Sequence, residues 1–591
     1  MTHNNVNLSI DYLLKDIHSG RLGLPDLQRP FVWGNDKIRK LYDSLIKGFP
    51  IGYIMVWQAP ADYNKIKHIG TDEKSISIAQ DIVIDGQQRL TALYATIYGV
   101  EIVDSSYVRR RIKISFNPFT KTFENWSAAI DKNKVYIPDI YTVFDAQRKA
   151  NLPVFIDSYI SELNEARAKK GEPVVSNEEK SQIQNGIYDL LNILNFNIIC
   201  TTITRDMEEE DVAEIFVRVN SGGQTLTQDN FISTLLSVYA SDIREKIENF
   251  CIDSRTPKPN TAYNELIELD SSQIIRSTAA IAFKRARLGY VYKMLRGTDL
   301  ATKVVSEETL NTNISLFRGA LEQVLDLNNW HAFLNIAKSA GFVNKKLVSA
   351  TSTIIYSYAL YLIAKNEFKL SSDELTRVFK AWFFAASLSS FYVEKTTETV
   401  AEQQLTYIKE QVTSKDEFIA FMNKSTKDRM TNDFFDVRLR NALDERNAQG
   451  PFWNGFVASQ IVLGYKTLFS TSAIENLFNL GASGTKNNFD FHHIFPKHFL
   501  QEKGYTSKDF DKRANFTILD YQKNIEISDK NPQVYMAEQA QKMQPDAYNT
   551  SLKQNAIPLN VTDLTFEQFI EQRKDLMIQI VRDAYNNIKP E

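Results

Sequence analysis

The spacing of apolar positions predicts short strands alternating with helices up to about residue 125 and mostly helix from about 241 to 450. In the first region Ile38, Leu41 and Leu45 fall on one helical face, with Asn35 in position to cap and Lys47-Gly48 to close the helix. The runs GYIMVW (Gly52 to Trp57), DIVI (Asp81 to Ile84) and RIKISF (Arg111 to Phe116) read as strands. Between them, Leu90, Leu93, Tyr94 and Ile97 recur at helical spacing and predict a helix over Gln87 to Tyr98. Residues 161–185 are polar and charged, and predict a solvated helix and loop. Two further helices are expected over Asp206 to Val219 and Thr227 to Ala240, joined by Asn220-Ser221-Gly222-Gly223. In the middle of the chain, the segment Thr353 to Ala364 (TIIYSYALYLIA) is apolar all round. It is too short to span a bilayer and is expected to be a buried helix. Aromatic stripes such as Trp382, Phe383, Phe384 and Phe391 read as core. No fixed-period repeat and no low-complexity tract interrupts these patterns.

A chain of 591 residues exceeds what one hydrophobic core supports, so several domains are expected. The boundaries read at 1–240, 241–450 and 451–591, giving an α+β multidomain protein with a largely helical middle. The net charge of -3 neither supports nor excludes nucleic-acid binding, and any DNA-binding face must be a local basic patch. The two cysteines, Cys200 and Cys251, form no CxxC pair, which removes structural zinc and disulfide frameworks and fits a reducing cytoplasm. The N-terminus lacks a basic start followed by an apolar run, so no signal peptide is expected, and no membrane partner either.

Histidine changes this picture. The chain has seven histidines, and His492, His493 and His498 fall within seven consecutive residues, HHIFPKH. Phosphodiester hydrolysis needs a group that deprotonates water near neutral pH, and imidazole, with a pKa of about 6.5, is suited to that task. It also needs charge opposite the phosphorane, which a divalent metal supplies. On a strand His492 and His493 point to opposite sides and need not share a role. A second strand, Asn515 to Leu519, can return to the first, and the turn or helix beyond it carries Asn524, whose amide oxygen is a hard ligand. The ordered set HH…P…N…N is far more specific than a histidine pair. His498 reads as a DNA contact or a bystander. Over Gly481 to Lys530 eight Lys/Arg face seven acids, so attraction for phosphate there rests on geometry and metal. The stretch GASGTK (Gly481 to Lys486) lacks the order of a phosphate loop and is set aside.

A second set lies near the N-terminus. Asp85-Gly86-Gln87-Gln88-Arg89 follows an apolar strand and opens a helix, a place where backbone N–H groups favour an anion. Arg89 there can pair a phosphate, or can serve as an ordinary structural ion-pair partner, and Asp-Gly can be an ordinary turn.

Two motif sets carry family resemblances. The C-terminal set resembles the His-Me finger (HNH) nucleases with their ββα-metal fold. That resemblance implies His493 as general base, Asn515 as the middle asparagine that fixes the loop and orients the base, and His492 and Asn524 as ligands of Mg2+ or another divalent cation. The family branch with the DHIFPK form has aspartate where His492 stands, which leaves metal preference open and Asp490 as an alternative ligand. LPDLQRPFVW (Leu24 to Trp33), IDGQQRLTAL (Ile84 to Leu93) and IFVRVNSGGQTL (Ile215 to Leu226) resemble the N-terminal domain of GmrSD-type modification-dependent restriction enzymes. The resemblance implies a ParB/sulfiredoxin-like core that binds and hydrolyses a nucleoside triphosphate, GTP or another, and senses modified DNA. By position, Asp85, Gly86, Gln87, Gln88 and Arg89 form that nucleotide site, with Gln28 and Arg29 nearby and Asn220 and Ser221 contributing. Together the resemblances imply a nucleotide-regulated DNA endonuclease of antiphage defence acting on modified or phage DNA. A nucleotide-responsive regulatory subunit without nuclease activity and an RNA-cleaving toxin remain as alternatives, and a homo-oligomer is left open.

Overall fold

The computed structural model describes residues 3–25, 31–58, 66–67, 81–104, 108–205, 240–393, 397–479 and 489–590, with isolated positions between 207 and 236. The expected helices over Asp206 to Val219 and Thr227 to Ala240 lie mostly outside the described residues, as do Gln28, Arg29, Asn220, Ser221 and the GASGTK stretch. The fold is mixed α+β, mostly helical with small sheets. Two compact units divide the chain, Met1–Arg244 and Glu245–Glu591. Among the described residues no helix is long and apolar enough to cross a membrane.

The first unit is built on a six-stranded mixed sheet. Its strands are β1 (His3–Ser9), β2 (Leu22–Pro25), β3 (Ile54–Gln58), β4 (Ile66–Lys67), β5 (Asp81–Asp85) and β6 (Asn197–Ile203), in the order β1-β6-β3-β5-β2-β4. Alternation along β3 and β5 explains why both faces are covered. Ile54, Val56 and Val83 enter one core with helices α1 (Ile10–His18), α2 (Asn35–Ile46) and α3 (Gln87–Tyr98). Trp57, Ile82 and Ile84 enter a second cluster on the other face, with Ile203 and Val212. A strand buried on both sides reads as a continuous apolar run, which is what DIVI is.

Three local expectations need correction. Asn35 is the first residue of α2, not its cap: Gly34 stands at the cap and offers no side chain. The helix does close at Lys47, with Gly48 following at φ +71°. RIKISF is not one strand but two, Arg109–Arg111 and Ile114–Asn117, each paired with a different partner. The polar tract 161–185 contains the end of one helix, Leu152–Ala168, and the start of another, Asn177–Asn192, with a capping box at Ser176 and Glu179.

The second unit is helical around two buried helices, α4 (Thr351–Asn366) and α5 (Ser372–Leu388). Every residue from Thr353 to Ala364 is buried, as the all-round apolar pattern demands. Trp382, Phe383 and Phe384 are fully enclosed, and the Trp382 indole N–H donates to Ser357 Oγ at 3.1 Å. At the C-terminal end, α6 (Pro451–Val462) packs on α5 and on the last helix, Phe566–Ile588. Against this frame stands a two-stranded antiparallel ribbon, β7 (Phe489–His493) with β8 (Phe516–Asp520), followed by α7 (Tyr521–Ile527).

Candidate functional site

The ribbon and α7 bring together side chains far apart in sequence. His492 pairs across the ribbon with Thr517 and turns its ring toward α7, where Nδ1 lies 2.8 Å from Asn524 Oδ1. Its ring is 8% exposed and meets the Tyr535 ring edge-on at 6.3 Å. An imidazole nitrogen and an amide oxygen form a donor pair suited to a hard or borderline divalent cation. The residues present therefore fit a metal. The same pair is satisfied by one hydrogen bond when Nδ1 carries the proton. Among the described residues no cluster of three His, Cys, Asp or Glu side chains adds to the pair. The Asp490 side chain is outside the described set.

His493, the next residue, makes its contacts elsewhere, as strand alternation requires. Its Nε2 lies 3.0 Å from Asp511 Oδ1, and its ring packs on Phe516 with centroids 4.2 Å apart. With Nε2–H donating to the carboxylate, Nδ1 holds the lone pair, and it has no hydrogen-bond partner among the described residues. Desolvation lowers the His493 pKa from the ordinary 6.5, outweighing Asp511, which raises it, while Lys497 lowers it further. The imidazole is thus neutral, with its acceptor nitrogen available, at neutral pH.

Asn515 makes no hydrogen bond to either histidine. It is fully buried, and its Oδ1 accepts from Phe495 N–H at 2.9 Å while its Nδ2 donates to the carbonyls of Phe495 (3.0 Å) and Phe510 (2.9 Å). It therefore ties together the two ends of the loop between the strands and fixes the segment that carries Asp511. Ile494 N–H donates to the Asn515 carbonyl, and Tyr535 O–H to the Ile494 carbonyl, so the chain just after the histidines is also held. His498 is exposed and lies 3.5 Å from Glu502. Beyond Asn524 on α7, Glu526 is tied to Lys542 and to Lys523, which hold its carboxyl down at about 2.

In the first unit, Asp85 ends β5, Gly86 takes φ +94° and Gln87 opens α3. Gly86 needs glycine for its left-handed φ; a Cβ there would also stand 2.3 Å from Ile54 Cδ1, the tip of a side chain that would have to shift. Arg89 directs its donors inward: one nitrogen donates to the Ile51 carbonyl at 2.7 Å, the other to Asp85 Oδ2 at 3.4 Å. Gln88 Oε1 accepts from Val32 N–H at 2.9 Å, which anchors the chain beside the undescribed Gln28 and Arg29. The strand and the Gly86 turn thus lead straight into the N-terminus of α3, while Arg89 is placed as the internal partner of Asp85.

Sequence reasoning missed Asp511. It lies 18 residues from His493 in a polar stretch, and counts there only as one of seven acids balancing local charge. No spacing rule singles it out, because the loop that returns it to the strand is irregular.

Comparison with known proteins places the first unit in context. Residues 10–237 match the family model of the GmrSD restriction endonuclease, N-terminal domain, which supports a restriction-endonuclease type of protein acting on DNA. Along its whole length the chain is 22% identical, over 639 aligned positions, to an uncharacterized protein of Methanocaldococcus jannaschii, covering 100% of this chain and 95% of that relative.

Proposed function

We propose that the protein is a metal-dependent, nucleotide-regulated DNA endonuclease that cuts modified or phage DNA in antiphage defence. The observation that carries the reading is the pair His492 Nδ1 and Asn524 Oδ1 at 2.8 Å, on a ribbon and helix whose next residue is a neutral, carboxylate-oriented histidine. The family match of residues 10–237 supports the restriction class.

In this reading His492 and Asn524 would hold Mg2+ or another divalent cation, which would supply positive charge to offset the negative charge developing on the phosphorane and the leaving oxygen. His493 Nδ1 takes a proton from water as the water oxygen attacks phosphorus. The bond from phosphorus to the 3′ oxygen breaks, leaving a 5′-phosphate, and the 3′ oxygen takes a proton from solvent. Asp511 stabilises the imidazolium that forms. Asn515 keeps the loop in register. In the first unit, Asp85, Gly86, Gln87, Gln88 and Arg89 form the nucleotide scaffold, with Gln28, Arg29 and Asn220 contributing. Arg89 then exchanges its long contact with Asp85 for a phosphate oxygen.

Cleavage of modified and unmodified phage DNA, with and without Mg2+ and each nucleoside triphosphate, tests the whole reading. Metal-dependent cutting that changes with one nucleotide is expected. Parent protein that binds DNA but never cuts it, with any metal, contradicts the endonuclease assignment and favours a regulatory subunit. Arg89→Ala is expected to abolish nucleotide binding while leaving metal binding in place. Unaltered nucleotide affinity in that variant removes Arg89 from the site.

A further inference from the structure

The carboxylate that faces His493 is itself held by the turns and bends of residues 443–449, which follow the short helix Arg440–Ala442. Asp511 Oδ1 faces His493 Nε2 at 3.0 Å, and its Oδ2 faces the Arg446 guanidinium at 3.4 Å. Arg446 also donates to Ser507 Oγ at 2.9 Å. The backbones are joined as well: Asn447 N–H donates to the Asp511 carbonyl at 2.9 Å, Arg513 N–H to the Glu445 carbonyl at 2.9 Å, and Ala514 N–H to the Leu443 carbonyl at 3.1 Å. The Arg513 side chain, itself 8% exposed, donates to the carbonyls of Ala442, Asn447 and Gln449 and to Glu445. Lys512 and the buried Lys574 both reach Asp444. The chain entering this segment runs through a π-helical turn, Phe434–Leu439, a wider winding that recurs at functional positions.

We propose that Asp511 is the positioning residue of His493, and that the segment Leu443 to Asn447 sets it in place, so that this segment controls whether the base is aligned. The inference rests on the reading of His493 as the general base. Its physical content is that a carboxylate on Nε2 fixes the ring orientation and leaves Nδ1 as the acceptor. Bonds from 443–447 fix the carboxylate in turn. A shift of the 434–449 segment therefore misaligns the base without touching the metal pair.

The test uses the full chain. The readouts are ring 15N spectra of histidine-labelled protein, and cleavage, with Mg2+, of whichever phage DNA the parent protein cuts best. Asp511→Asn is expected to replace the Nε2-protonated form of His493 by a mixture of tautomers, and to lower kcat by roughly 10²-fold or more with KM within about twofold. Asp511→Glu is expected to restore part of both. Arg446→Gln, at a half-exposed position, is expected to lower kcat by about threefold with KM unchanged. Should Asp511→Asn fail to fold, that exposed variant carries the test. An unshifted His493 ring and parental kcat in these variants, with His493→Ala inactive, overturn the positioning role and leave the nuclease reading standing. Parental cleavage by His493→Ala overturns both.

Discussion

His493 is neutral because its ring is packed between Phe516 and Phe510 and partly removed from water, not because it lacks an acid. Burial disfavours the imidazolium, and Asp511 only partly offsets this. The sign follows directly. A base must be unprotonated to act, and a folded pKa below 6.5 keeps it so further into acid. The acid limb of the kcat/KM profile is therefore expected below pH 6.5, and a limb above that value contradicts the burial argument. At His492 the expectation concerns metal. His492→Ala removes one of the two proposed ligands, so Mn2+ affinity measured by calorimetry is expected to fall at least about tenfold, whereas His493→Ala leaves it nearly unchanged. Asn515→Ala leaves the groups at Phe495 and Phe510 without partners inside the protein. A loss of roughly 3 kcal/mol or more in urea unfolding is expected, against less than about 1 kcal/mol if water replaces the amide.

The elements differ in how far the sequence announces them. DIVI, Gln87 to Tyr98 and the apolar run from Thr353 to Ala364 were legible because each has a strong periodic or continuous apolar pattern. β1 was not, since its asparagine-rich residues are exposed and gain their order from pairing with β6, nearly two hundred residues away. The ribbon β7–β8 was legible through its histidines and the NFTIL run, although Asn515 itself lies in the turn before the strand. Asp511 and the clamp from 443–447 were not, because long-range loop contacts leave no local spacing to read. The β5–α3 turn yields an element-scale prediction. Gly86→Ala places a Cβ against Ile54 at a left-handed φ, so a loss of about 1–3 kcal/mol is expected by thermal unfolding, and an unchanged Tm contradicts the requirement for glycine.

At the scale of the whole molecule, the family match of residues 10–237 falls within the first compact unit, and the histidine site lies in the second. The proposed function, with sensing in one unit and cutting in the other, requires a two-state element whose balance the nucleotide shifts, since a ligand moves an equilibrium only through its differential affinity for the two states. In the second unit the segment after the π-helical turn Phe434–Leu439 is bonded to Asp511, the proposed positioning carboxylate. The central claim is that His493 is a general base beside a metal pair. The most direct measurement is Mg2+-dependent cleavage of phage DNA by the parent protein and by His493→Ala at equal metal occupancy. The account predicts cleavage by the parent and a fall of roughly 10²-fold or more in the variant. Equal rates in the two proteins would contradict it.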